Sequence, residues 1–185
     1  TIVLPPEAIL VHTSGAKGMN VLLGTLENNP SAKLGVFYPL MTFTKGIKVD
    51  FNDVPMCIEG EDDATTEALE KIADLISGKV QRVNSHQRGI LHVAAVFACN
   101  FTNHLWALSK EITEEENLDF DILKPLVQET FVKAMKAEHP AEVQTGPAIR
   151  EDQETISKHL ALIKDDVDLM EVYNSVTKSI QNWHQ

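Results

Sequence analysis

Ser85 to Ile112, SHQRGILHVAAVFACNFTNHLWALSKEI, is an apolar run with polar side chains set inside it, and the rest of the chain is arranged on either side of it. At about 100° per residue it reads as a helix, and Ser85, Arg88, His92, Val96, Cys99 and Asn103 then fall within roughly 40° of one line along it. The stripe is mixed. A water-facing stripe has no place for Val96 and Cys99 between its polar members, and a core-facing one has no use for Arg88, His92 and Asn103. The stretch therefore reads as the wall of a cleft.

Before it the chain alternates between short apolar runs and helical patterns. Ala8 to His12 has the form of a buried parallel strand closed by the turn residues Thr13-Ser14-Gly15. Met19 to Leu26 shows helical spacing, Lys33 to Tyr38 is a second strand stopped by Pro39, and Val54 to Gly60 is a third, with Pro55 at its start or on an edge. Asp62 or Asp63 can cap a helix from Ala64 to Ile76 ended by Gly78, and Lys79 to Val83 offers one more strand. This alternation predicts a parallel α/β sheet over residues 1–84.

From residue 85 to 185 the pattern is helical throughout. Thr113-Glu114-Glu115-Glu116 has the form of a capping box, and Asp119 can cap the next helix, whose broad apolar face runs from Ile122 to Met135 with Pro125 near its start. Asp152 caps a helix carrying Ile156, Leu160 and Ile163, and Val167 to Trp183 forms the last one. The expected fold is α/β followed by all-α, divided near residue 84.

The chain has 185 residues, 43% of them hydrophobic, enough for a sizeable core. A formal net charge of −11 argues against nucleic acid and anionic membrane as partners, because both attract clustered Lys and Arg. The acidic groups Glu59 to Asp63 and Glu114 to Glu116 read as solvated helix starts. Cys57 and Cys99 sit in apolar runs, as reduced thiols of a cytoplasmic protein would, and no apolar segment reaches the ~20 residues of a membrane span. The chain opens with Val3-Leu4-Pro5-Pro6, which reads as a loop entering a strand in mid-domain, so an N-terminal segment is expected ahead of it.

No metal signature is present: His86, His92 and His104 lack the i, i+4 spacing of a helical zinc pair. No G-x-S-x-G, G-x-G-x-x-G or P-loop is present either. His12-Thr13-Ser14-Gly15 and Tyr38-Pro39 both end strands, where open α/β sheets bind ligands, although each also serves as a plain turn or strand stop. His92 is either a satisfied core histidine or, with Arg88 and Asn103 beside it, part of a polar ligand site. Arg150 either binds an anion or pairs with Asp152 or another helix.

These residues resemble a family. Ile9 to Ala16 (ILVHTSGA), Gly35 to Phe43 (GVFYPLMTF), His92 to Asn100 (HVAAVFACN), Lys124-Pro125-Leu126 and Thr145 to Asp152 (TGPAIRED) are similar, in order, to blocks of a little-characterised family of Rossmann-like NADP oxidoreductases with a C-terminal helical domain of unknown function. That family is similar at a distance to pyrroline-5-carboxylate reductase, prephenate dehydrogenase and 6-phosphogluconate dehydrogenase. The resemblance implies a partial parallel Rossmann-like sheet in residues 1–84, followed in 85–185 by a helical domain like the C-terminal one of 6-phosphogluconate dehydrogenase. It further implies NADP or NAD as cofactor, a small-molecule substrate between sheet and helices, and a homodimer formed through the helical domain.

Carried over, His12, Ser14, Gly15, Tyr38 and Pro39 line the cofactor crevice. His92, Asn100 and Arg150 with its neighbours form the helical wall. Apart from the resemblance, the chemistry of the side chains makes His92 the candidate for the proton role, with Asn100 and Asn103 to position the substrate and Arg88, Thr145, Gly146, Arg150 and Asp152 as candidate substrate contacts. The glycine-rich fingerprint that would hold the cofactor's pyrophosphate is absent from these 185 residues, so the chain by itself is not expected to hold that group. The leading expectation is an NAD(P)-dependent oxidoreductase. The competing one is a non-catalytic dimerisation or ligand-binding module whose polar stripe is structural.

Overall fold

Strand β1 (Ile9–His12) lies parallel to β2 (Lys33–Pro39), pairing Ile9 with Lys33 and His12 with Val36, in a computed structural model that describes residues 3–185. A nine-residue 3-10 helix, Met19–Glu27, connects them. Strand β3 (Met56–Gly60) runs antiparallel to β2, with Pro39 opposite Met56 and Gly35 opposite Gly60, and β4 (Val80–Arg82) runs parallel to β3. The sheet order is β1-β2-β3-β4. The expected parallel sheet is thus parallel in two of its three pairings. The reversal has a local cause: between Pro39 and Pro55 only the short 3-10 helix Phe51–Asp53 forms, and without a crossover helix the returning strand pairs antiparallel.

Helix α1 (Asp63–Asp74) covers the sheet, and its Leu69 and Ala73 form one core cluster with Val54, Met56 and Ile58. Full burial of a side chain such as Leu69 stabilises by about 1.5–3 kcal/mol. Asp62 caps α1 by accepting from the Thr65 amide at 2.7 Å. Close approach of helix to strand depends on Gly60, where a Cβ would stand 2.5 Å from the Thr66 amide nitrogen.

The long helical stretch has three parts: α2 (Ser85–Ala95), a π-helical segment (Val96–Phe101) and α3 (Thr102–Glu115). An Asn84–Gln87 capping box starts α2. By its contacts the chain divides into one unit ending at Thr102 and a second from Asn103 to Gln185, so α2 and the π segment group with the sheet.

In the second unit, Thr113 to Glu116 closes a helix instead of opening one. The Thr113 hydroxyl donates back to the Lys110 carbonyl, and Asn117, with φ of 58°, turns the chain out of α3. Asp119 caps the 3-10 helix Phe120–Leu123, which leads into α4 (Lys124–Lys136) with Pro125 in its first turn. Asp152 caps α5 (Gln153–Leu162), and Asp166 caps α6 (Val167–Trp183). Among the described residues no helix is long and apolar enough to cross a membrane.

Candidate functional site

Because β1 and β2 are parallel, His12 and Tyr38 leave the sheet at the same edge, the carboxyl end where α/β sheets hold ligands. The loop after β1 brings Gly15 to that edge. A Cβ on Gly15 would stand 2.8 Å from the Tyr38 hydroxyl and 2.9 Å from His92 Nδ1, so a phenol from β2 and an imidazole from α2 converge on this glycine.

Behind them lies a buried ion pair. Arg88 is 0% exposed, and its Nη1 donates to Glu59 Oε2 at 2.5 Å, while its Nη2 donates to the Lys17 carbonyl at 2.7 Å and to Ser85 Oγ at 3.1 Å. The Ser85 hydroxyl donates to the same Glu59 oxygen at 2.8 Å and accepts from the Met19 amide at 3.3 Å. This network ties β3, α2 and the loop after β1 together. Both terminal nitrogens of Arg88 are satisfied in this way, and removing one partner of a buried pair costs about 3–5 kcal/mol.

His12 accepts from the Ser14 amide through Nδ1 at 3.2 Å. Burial, reinforced by Arg88 and Lys17, pushes its pKa below the ordinary value, with the Gly18 carbonyl and Glu59 pulling the other way. Gly18 does not reach hydrogen-bond geometry, and His12 Nε2 and Arg88 Nε are both buried without a partner. Each such orphan costs about 1–3 kcal/mol. Burial raises the Tyr38 pKa, with Cys57, its cross-strand neighbour, adding to the rise and Arg88 opposing it, so the phenol stays protonated at neutral pH. Burial also raises the Cys57 thiol.

The structure thus brings together His12, Ser14, Gly15, Tyr38, Arg88 and His92. Arg88, expected to meet substrate, is enclosed instead, with both terminal nitrogens committed to protein groups. Pro39 ends β2, half-buried opposite Met56. Asn100 is exposed on the π segment, and Asn103 is exposed in the second unit. There, Thr145 and Arg150 are exposed, Gly146 adopts φ of 109°, and the Asp152 carboxylate is engaged by the amide and hydroxyl of Thr155. Glu59 was missed: grouped by sequence with a solvated acidic cluster, it sits in β3 as the counter-ion of Arg88. A lone acid inside the apolar run MCIEG was its one signal.

Among the described residues no three His, Cys, Asp or Glu side chains gather in a way that could hold a metal ion. For a dinucleotide the fit is partial. The turn from β3 into α1 has the strand–helix form that can cradle phosphate, but its helix start bears Asp62, held down to a pKa of about 2 by Thr65 and Lys33, and Asp63 beside it. Carboxylates fill that N-terminus and repel a pyrophosphate. Polar groups able to meet an uncharged ring or carbonyl do stand at the ends of β1 and β2.

Fold and site define a mixed α/β protein with a helical C-terminal part and a polar cluster at the carboxyl edge of its parallel strands. The chain belongs to the family described as "Domain of unknown function (DUF2520)", whose sequence profile matches residues 54–180. Among solved structures it is similar to a protein of Bacteroides fragilis described as a "putative NADP oxidoreductase", at 41% identity and a TM-score of 0.85, over 94% of this chain and 65% of that one. The chain therefore spans less than two thirds of that relative's length. It also shares its fold with the Thermotoga maritima protein TM1727, at 22% identity and a TM-score of 0.75, over 98% of this chain and 76% of that one. A search of curated proteins gives no match.

Proposed function

We propose that this chain serves as the substrate-facing part of an NADP-dependent oxidoreductase acting on a small metabolite. The observation behind this reading is the convergence of Tyr38 Oη and His92 Nδ1 on Gly15 at the strand edge where His12 and Ser14 also lie. The likeness to the Bacteroides fragilis protein supports the choice of cofactor. A nicotinamide supplies the hydride when bound. The chain's own residues manage the rest: the Tyr38 phenol donates a hydrogen bond to the substrate's oxygen or nitrogen, and His92 gives or takes the proton, a task suited to an imidazole near neutral pH. Asn100, exposed on the π segment of the same unit, positions the substrate.

The test is to add NADPH to the intact gene product and follow nicotinamide fluorescence, then to measure turnover in His92→Ala. Absence of any fluorescence change removes the oxidoreductase reading, and unchanged turnover in the variant removes His92 from its role.

A second reading, assembly of two copies, is favoured by a ridge of exposed apolar side chains, Ile90, Val93, Phe97 and Phe101, along α2 and the π segment. Light scattering of a His92, Arg150 double variant separates the two. Loss of a dimer favours assembly as the stripe's purpose, whereas an intact dimer that no longer binds ligand favours a site.

A further inference from the structure

Arg88 heads the fully buried side chains by size, and the proton chemistry proposed above makes no use of it. Its guanidinium joins separate pieces of chain: Glu59 on β3, Ser85 on its own helix and the Lys17 carbonyl in the loop after β1. Ser85 closes the circuit by donating to Glu59 and accepting from the Met19 amide at the far end of that loop. The loop so anchored holds the Ser14 amide against His12 Nδ1 at 3.2 Å. An N–H donor at Nδ1 requires a lone pair there, so the ring is neutral with its hydrogen on Nε2. An imidazolium carries hydrogen on both nitrogens and would lose the contact.

We infer that Glu59, Arg88 and Ser85 form a positioning unit for His12, holding loop 13–18 against the ring and fixing its neutral form with the hydrogen on Nε2. The hydrogen so fixed lies on the buried face of the ring, which leaves His12 no proton to exchange with a ligand, and proton transfer is left to His92; this last step alone rests on the oxidoreductase reading.

The charged and polar groups around the ring divide in a way that makes the unit testable. Arg88 and Lys17 oppose an imidazolium, as burial does, while Glu59 and the Gly18 carbonyl favour it. The two members of the ion pair therefore act on His12 with opposite sign, on top of the burial that depends on the loop both of them anchor. The midpoint therefore reports the charges, whereas the tautomer reports whether the loop still holds the Ser14 amide on Nδ1.

The experiment is long-range ¹H–¹⁵N correlation NMR on the intact gene product labelled at histidine, titrated without cofactor, so that its outcome is independent of NADPH binding. In the wild-type protein His12 is expected as the Nε2–H tautomer with a midpoint below 6.5. Arg88→Gln is expected to raise the midpoint, and Arg88→Gln, Glu59→Gln and Ser85→Ala are each expected to give a mixture of tautomers as the loop loses its anchor. If a charge variant does not fold, Ser85→Ala, which keeps the ion pair, still tests the hold on the ring. An Nδ1–H tautomer in the wild-type protein, or a pure Nε2–H tautomer that persists in Ser85→Ala and in both charge variants, overturns the inference.

Discussion

Gly15 is the residue on which the site's geometry depends, because both polar rings press on it. In Gly15→Ala the new methyl would stand 2.7 Å from the Tyr38 ring carbon Cζ and 2.9 Å from His92 Nδ1, so one ring must move. Overpacking of this kind costs about 1–3 kcal/mol. The variant is expected to fold with that loss in urea melts and, on the function proposed above, to weaken NADPH binding by the intact gene product in fluorescence titration. Melting and binding identical to wild type would contradict the crowding. Asp62 gives a pH signature. Its folded pKa, lowered from 3.8 to about 2, means that its stabilising contribution is fully present above 3.8 and is lost as pH falls through about 2. Asp62→Ala is therefore expected to be less stable than wild type at pH 7, with the gap in urea midpoints closing between pH 4 and pH 2.

At the level of elements, two glycines make opposite predictions. Gly60 lets α1 lie against β3, and a methyl there would strike the Thr66 amide nitrogen at 2.5 Å, a backbone atom that cannot swing aside. Gly89 lies inside α2 with open space where its Cβ would be. Gly60→Ala should destabilise, whereas Gly89→Ala should stabilise by about 0.5–1 kcal/mol because a helix interior prefers alanine. Leu69→Ala, which empties the α1 side of the core, is expected to cost about 2–5 kcal/mol by denaturant melting. The helices behind these predictions were legible in the sequence because caps and periodicity are local: Asp62, Asp152 and the last helix from Val167 to Trp183 stand where the pattern puts them. The antiparallel turn of β3 was not, since strand direction depends on what fills residues 40–55. Nor was the end of α3, because Thr113 followed by three glutamates satisfies the rule for a helix start as well as the hydrogen bonds that close one. Of the site, His12, Gly15, Tyr38 and His92 were readable from their strand ends and their stripe. Glu59 was not, because its partner Arg88 lies 29 residues away and only the fold brings them together.

For the molecule as a whole, charge and exposed apolar surface pull in opposite directions. Ile90, Val93, Phe97 and Phe101 are 61%, 54%, 64% and 49% exposed along one side of the helix, and a ridge of large side chains left in water favours association. Burying each such side chain fully stabilises by about 1.5–3 kcal/mol. Against this, two copies each carrying a formal charge of −11 repel one another. Salt screens that repulsion, with a Debye length of about 10 Å at 0.1 M, and it does not weaken apolar contact. If the ridge pairs copies of the chain, light scattering should give a mass that rises toward the dimer as sodium chloride is added, the reverse of an interface held by ion pairs. Phe97→Asp should then leave a monomer at every salt concentration, because it removes apolar area and adds like charge at the ridge centre. A wild-type protein that stays monomeric at high salt, or a Phe97→Asp variant that associates as the wild type does, would remove this face from the interface.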